Sequence, residues 1–206
     1  MATHRSPLAV AVTGGIGSGK TEACRHFASL GATVFSSDAV ARQLVESDPA
    51  LRRGITALFG KGAFRPDGTL DRKRIAEVVF NDPTALKGLN GIVHPRVHRY
   101  LGDAIARERV KARTALVVVE AALIYESGAE SLFDFVIVIA AGRAECIRRI
   151  MSRDGLSRPE VIRRMGAQLP EKQKIERADF VIRNSGPEKE LRSNCKFLYR
   201  LLTSWN

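Results

Sequence analysis

Leu8-Ala9-Val10-Ala11-Val12-Thr13-Gly14-Gly15-Ile16-Gly17-Ser18-Gly19-Lys20-Thr21 is the stretch on which the fold turns. Leu8–Thr13 is a short, almost wholly apolar run stopped by glycines, which suits a strand buried on both faces. Gly14–Thr21 then satisfies the pattern G-x-x-x-x-G-K-[ST]. The glycines let the backbone turn tightly and aim successive N–H groups inward, forming an anion-binding nest. A helix expected from Lys20 adds its positive dipole end. Lys20 is suited to neutralising β- and γ-phosphates, and the Thr21 hydroxyl to a magnesium ion. Backbone amides of Gly15, Ile16, Gly17, Ser18, Gly19, Lys20 and Thr21 are the expected cradle. The motif by itself indicates nucleotide binding and leaves the reaction open.

Working outward, Lys20–Leu30 reads as a helix with Ala23, Phe27 and Leu30 on one face and Gly31 as its stop. Ala32–Ser36 is a second short strand, and Asp38 stands where a helix N-cap would, ahead of Ala39–Val45. Between residues 49 and 111 no strand is expected. Helical stretches there are separated by turns at Arg65–Gly68 and Asn81–Pro83. Leu116–Glu120 and Asp134–Ala140 are rich in β-branched residues and read as strands. A basic helix over Arg143–Arg153 shares an apolar face of Ile147, Ile150 and Met151. A polar segment follows, then a last strand at Asp179–Arg183 and a closing helix over Glu188–Leu202.

Strands alternating with helices predict an α/β fold: a parallel five-stranded sheet with helices on both faces, a three-layer arrangement. Ligands of such sheets gather at the carboxyl ends of the strands, where Gly14, Asp38, Glu120 and Ala141 fall. The chain reads as one domain over residues 1–206, with a helical insertion at about 49–111.

The 206 residues carry 33 Lys+Arg against 22 Asp+Glu, a net charge of +11. That surplus draws polyanions without specifying which. Aromatics are only 6% and sit in apolar contexts such as Phe133 and Phe135, which speaks against a nucleic-acid partner. No apolar run approaches the roughly 20 residues that span a bilayer, so no membrane partner is expected. The apolar stretch after the first few residues is too short for a signal sequence, and a cytoplasmic protein is expected. Cys24, Cys146 and Cys195 lack C-x-x-C spacing, which favours reduced thiols over a zinc site or disulfides.

The guanine-specifying N-K-x-D of GTPases is absent, and size and strand order fit the nucleoside and nucleotide kinases better. Such enzymes close cationic groups over the transferring phosphoryl. Seven arginines fall between positions 143 and 164, namely Arg143, Arg148, Arg149, Arg153, Arg158, Arg163 and Arg164. Arg149 and Arg153, four apart, share a helix face and are the candidate lid residues, within a basic lid at about 143–170. A plain solvated basic surface would look the same.

At this point the sequence resembles the dephospho-CoA kinase family along nearly its whole length. The resemblance rests on TGGIGSGK (Thr13–Lys20), SDAVARQL (Ser37–Leu44), LNGIVHP (Leu89–Pro95), AALIYESG (Ala121–Gly128), SRDGLS (Ser152–Ser157) and AQLPEKQKIERADFVIRNSG (Ala167–Gly186). It implies a P-loop kinase fold, ATP and Mg²⁺, and transfer of the γ-phosphoryl group to the ribose 3′-hydroxyl of dephospho-CoA. It further implies that Asp38 lies near the acceptor hydroxyl, a role compatible with an N-cap. Arg42, one helical turn on, and His94, in the helical insertion, are implied substrate contacts. A structural histidine and a helix-breaking Pro95 are the alternatives for that last site. Glu120 is implied near Mg²⁺, directly or through water, and Asn184 and Gly186 near adenine, where a plain turn is the alternative. A monomer or small homo-oligomer is expected.

Two departures stand out. Many family members read Pro-Leu-Leu where this chain has Ala122-Leu123-Ile124, and many carry an aspartate where Ser36 stands. Both concern the substrate pocket and an acidic pair at the second strand, not the nucleotide site. The rival functions are a kinase with another acceptor and a basic nucleic-acid-binding protein with a nucleotide switch.

Overall fold

The structure is a computed structural model and describes residues 6–205. Residues 1–5, whose charge would lead a signal sequence, lie outside the described residues. The chain forms two compact units, one comprising residues up to Ser36 together with Ala104 onward, the other Ser37–Asp103.

The first unit is built on β1 (Leu8–Thr13), followed by α1 (Lys20–Ser29) and β2 (Thr33–Ser36). The second unit begins with α2 (Ser37–Ser47) and α3 (Pro49–Phe59), a 3₁₀ turn at Lys61–Ala63, then α4 (Arg72–Asn81). The long α5 (Pro83–Lys111) runs across the unit boundary in sequence. Then come β3 (Leu116–Glu120), a 3₁₀ turn at Glu130–Leu132, β4 (Phe135–Ala140), α6 (Arg143–Asp154), α7 (Arg158–Gly166), α8 (Glu171–Glu176), β5 (Phe180–Arg183) and α9 (Glu188–Ser204).

The five strands form one parallel sheet in the order β2-β3-β1-β4-β5. β1 sits at its centre, and Ala9–Val12 and Leu116–Val119 are wholly buried, as expected of runs covered on both faces. Alternation sorts the side chains. Val10, Val12, Leu116, Val118, Ile137 and Ile139 join Phe27 of α1 and Leu198 and Leu202 of α9 in one core. Ala11, Val136, Val138 and Ala140 join Ile124 and Tyr125 in the core on the other face. Cys24, Cys146 and Cys195 are free and buried.

Two aspartates extend the ladder at the start of strands. The Asp134 backbone donates to Ala9 O at 2.8 Å while its Oδ2 accepts the Ala9 N–H at 2.7 Å. Asp179 repeats the device on Val136, with distances of 3.0 and 2.7 Å. Asp134→Ala is therefore expected to lower unfolding stability by about 1–3 kcal/mol, through the orphaned Ala9 amide. Its half-exposed ion pair with Arg109 contributes little. A urea midpoint equal to wild type, at unchanged m-value, would contradict this.

The second unit is helical, as expected, with a small core of Val45, Ile55, Ala63 and Ile75. A single isolated bridge, Phe64 to Leu70, closes the turn around Pro66-Asp67-Gly68. The Asp48 side chain caps α3, accepting from Ala50 N at 2.8 Å and Leu51 N at 3.3 Å, while Arg96 pairs with it at 2.8 Å.

Several local expectations need correction. Asp38 does not precede its helix. α2 starts at Ser37, directly after β2, so Asp38 lies inside the first turn and is not the N-cap. Pro95 does not break its helix: α5 passes through it, without the hydrogen bond that an N–H at this position would give to the Gly91 carbonyl. Met151 is exposed at 38% although Ile147 and Ile150 are buried. The polar segment after the basic helix forms α7 and α8, elements for which no helix was expected, and the former carries a capping box between Ser157 and Glu160.

Candidate active site

The carboxyl ends of β1, β3 and β2 are aligned, with Val12 opposite Glu120 and Ser36 opposite Glu120 on the other side. On the other flank of β1, Thr13 stands opposite Val138. The Gly14–Thr21 loop therefore rises from the middle of the sheet edge, where the strand order reverses.

Gly14 and Gly19 show why the loop needs glycine. A Cβ on Gly14 would lie 2.2 Å from the Ile139 carbonyl oxygen, at φ +147°. On Gly19, at φ +97°, it would lie 2.2 Å from Asn184 Nδ2. α1 starts at Lys20 without a side-chain cap, so its first amides remain for a ligand. The Ser18 hydroxyl is buried inside the loop without a hydrogen-bond partner, and beside Gly15 the space is open. Lys20 Nζ donates to Gly14 O at 3.1 Å and Gly15 O at 2.8 Å, folded back over the loop. An orphaned hydroxyl, a helix start without a side-chain cap and an ammonium over the nest together fit the phosphates of a nucleotide.

The Thr21 hydroxyl donates to Glu120 Oε1 at 2.6 Å. A hydroxyl and a carboxylate oxygen meeting beside the phosphate nest form a hard-oxygen donor set suited to Mg²⁺.

The two arginines expected to act together are placed differently. Arg149 reaches the phosphate loop, donating to Gly17 O at 3.5 Å and to Asn184 O at 3.2 Å, while its Nε pairs with Glu145 at 2.9 Å. Glu145 is held below the usual carboxylate range, first by its hydrogen bond from Arg148 and also by the charge of Arg149. Arg153 instead pairs with its neighbour Asp154 through both Nε and Nη2, at 2.6 and 2.9 Å. The structure thus brings Arg149, but not Arg153, to the loop.

Asn184 is 7% exposed and its Nδ2 donates to Ser18 O at 2.8 Å, so it braces the phosphate loop from the end of β5. Gly186 lies before α9, where a Cβ would meet the Glu190 carboxylate at 2.2 Å. Asp38, Arg42 and His94 belong to the second unit. Asp38 follows β2 by two residues, Arg42 is one turn along α2, and His94 stacks on His98 within α5 at 6.0 Å between ring centroids.

The site also uses residues that no sequence motif singles out. Gln168 Oε1 accepts the Ile16 N–H at 2.9 Å. The Ile16 side chain packs against Ile147, Ile150 and Val161, which ties the phosphate loop to α6 and α7. Lys174, wholly buried, pairs with Glu126 at 2.8 Å. Gln168 and Lys174 fall within the Ala167–Gly186 stretch that carries the resemblance, but Lys174 sits in the charged string EKQKIE, where no pattern separates it from Lys172.

The family model for dephospho-CoA kinase matches residues 8–190. The chain belongs to the dephospho-CoA kinase family. A dephospho-CoA kinase from Chlorobium luteolum is 41% identical over 205 residues, covering 97% of this chain and 93% of the relative. A solved Thermus thermophilus structure superposes with a TM-score of 0.80 at 36% identity, covering 96% of this chain and 99% of the other. Dephospho-CoA kinase from Campylobacter jejuni gives 0.72 at 29% identity, with coverage of 96% and 98%. The kinase carries the family's P-loop fold with its glycine loop at the central strand. Among the described residues no helix is long and apolar enough to cross a membrane.

Proposed function

We propose that this kinase transfers the γ-phosphoryl group of ATP to the ribose 3′-hydroxyl of dephospho-CoA, giving coenzyme A and ADP, in the cytoplasm. The observation that carries the reading is the convergence of Lys20, the Thr21–Glu120 pair and Arg149 on one glycine loop, in a chain matching the family over residues 8–190.

Amides of Gly15–Lys20 receive the phosphate oxygens, and Lys20 leaves the Gly14 and Gly15 carbonyls for the β- and γ-phosphates. Thr21 and Glu120 are the residues that would hold Mg²⁺, which supplies charge neutralisation on the phosphates when bound. Arg149 stabilises charge on the transferring group from its place above Gly17, and Arg153 joins it by exchanging Asp154 for phosphate. Asp38 accepts or orients the proton of the acceptor hydroxyl. Arg42, one turn along α2 from Asp38, and His94, within the helical insertion of residues 49–111, bind the dephospho-CoA side. Residues 143–170 form the lid, and Asn184 and Gly186 border adenine. Support for Asp38, Arg42 and His94 comes from the sequence motifs and from the position of Asp38 just past a strand end.

A coupled assay of ADP release with MgATP and dephospho-CoA tests the reaction. Adenosine and nucleoside monophosphates under the same conditions test the rival acceptors. Turnover on those alone, or none at all with folded protein, sinks the proposal. Tight, steeply salt-dependent binding to random nucleic acid would favour the non-enzymatic rival. Arg149→Ala is expected to lower kcat/KM by about 100-fold, in the range seen when one charge-stabilising donor is removed. Arg153→Ala is expected to lose less, because Asp154 competes for it. Equal losses would show that both arginines turn to the phosphoryl group during turnover.

A further inference from the structure

Lys174 has no side-chain exposure, yet the steps above make no use of it. Its ammonium lies 2.8 Å from Glu126 Oε1 and donates at 2.8 Å to the carbonyl oxygen of Ala122, two residues past β3. That same carbonyl accepts the Thr13 hydroxyl at 3.4 Å, and Thr13 is the last residue before the phosphate loop. On the other side, Glu126 Oε1 also accepts the Leu169 N–H at 2.9 Å. Leu169 follows Gln168, whose side-chain oxygen accepts the Ile16 N–H inside the loop. Two chains of contacts thus leave one ion pair, its lysine wholly buried and its glutamate 18% exposed, and end on the phosphate loop, one at Thr13 just before it and one at Ile16.

A buried ion pair is poor evidence of a need for stability, because removing water from both charges is expensive and apolar replacements of similar volume often serve as well. Removing one partner alone is damaging, since the other is left buried and uncompensated. What an apolar pair could not do is donate to the Ala122 carbonyl and accept the Leu169 amide together. We propose that Lys174 and Glu126 are positioning residues for ATP: through Ala122–Thr13 and Leu169–Gln168 they fix the shape of the phosphate loop. Neither residue touches the nucleotide. Gln168 is the end of the relay that meets the loop, and α8, which carries Lys174, also supplies Glu171, whose Oε2 accepts the Ala141 N–H beyond β4 at 3.2 Å.

The test uses the full chain and steady-state kinetics with each substrate varied in turn. Glu126→Gln combined with Lys174→Met removes both charges at near-constant volume and avoids the stranded charge of either single change. This double variant is expected to keep a thermal midpoint close to wild type. Its KM for ATP is expected to rise about tenfold, equivalent to the loss of one net hydrogen bond, while the KM for dephospho-CoA stays within about twofold. Gln168→Ala, which leaves the ion pair intact, is expected to give the same signature. Glu126→Gln keeps an acceptor for the Leu169 amide, so the double variant breaks the contacts through Ala122 and Thr13 while Gln168→Ala breaks those through Leu169, and all three changes together should raise the ATP KM by about the product of the two effects. A folded double variant with a wild-type ATP KM overturns the proposal, as do equal rises in both KM values or a triple variant no worse than the double one. Should the double variant fail to fold, Gln168→Ala decides: an unchanged ATP KM overturns the proposal.

Discussion

Asp38→Asn is expected to bind ATP as wild type does while turnover falls by about 10³-fold, in the range attributed to a positioned general base. The substitution keeps size and hydrogen-bonding reach but removes the charge that takes or orients the acceptor proton. Its structural cost should be small. Asp38 lies in the first turn of α2 and does not cap that helix, so no N-terminal amide depends on its carboxylate as a cap. Some loss of favourable interaction with the helix dipole remains, worth about 0.3–1 kcal/mol. Stability and catalysis therefore separate at this residue. Equilibrium binding of a non-hydrolysable ATP analogue, beside turnover on dephospho-CoA, reads the two apart. A variant with more than a tenth of wild-type turnover would remove Asp38 from the chemistry.

Lys20→Met is expected to be at least as severe in kcat/KM, by roughly 10³-fold or more, and to act on the nucleotide side. Methionine retains much of the lysine stem and its apolar contacts but cannot neutralise phosphate. In the structure the ammonium rests on the Gly14 and Gly15 carbonyls, so those two acceptors lose a donor as well. Gly15 is partly exposed and its carbonyl regains water, whereas the buried Gly14 carbonyl loses a donor, so the thermal midpoint should fall modestly, by about 1–3 kcal/mol of stability at most. The distinguishing result is a loss of both ATP affinity and turnover, against turnover alone in Asp38→Asn. If Lys20→Met kept an ATP KM near wild type, the ammonium would act only in the transition state, and the charge at the ground-state phosphates would have to come from Arg149.

The central sheet was legible because its strands are extreme cases. Leu116–Val119 is buried to the last residue, and so are Val10 and Val12, so the β-branched runs had no exposed face to blur them. The glycine loop was legible for a different reason: its spacing is imposed by close backbone approaches, such as that of Gly14 to Ile139 O, which no other residue satisfies. Residues 155–178 read only as a polar segment because α7 and α8 are short and bury Val161 and Lys174 alone. One local signal does mark a helix there. Ser157 and Glu160, three apart, formed a capping box in the structure and marked the start of α7. The phosphate loop's own supports were harder to see. Asn184 and Gln168 contact residues more than 150 positions away in sequence, and that pairing belongs to the sheet order rather than to any local pattern.

Cys24 and Cys195 lie within the core on one face of the sheet, Cys146 is buried in α6, and burial raises the pKa of each thiol, that of Cys195 to about 12. At neutral pH roughly one Cys195 thiol in 10⁵ is ionised, and only the thiolate reacts at a useful rate. An enzyme whose product carries a thiol therefore offers no ready sulfur to disulfide exchange while folded. The same property makes alkylation a clock: under native conditions, modification should proceed only as fast as the buried cysteines become exposed, and Cys24 and Cys195 together report the opening of the one core they share.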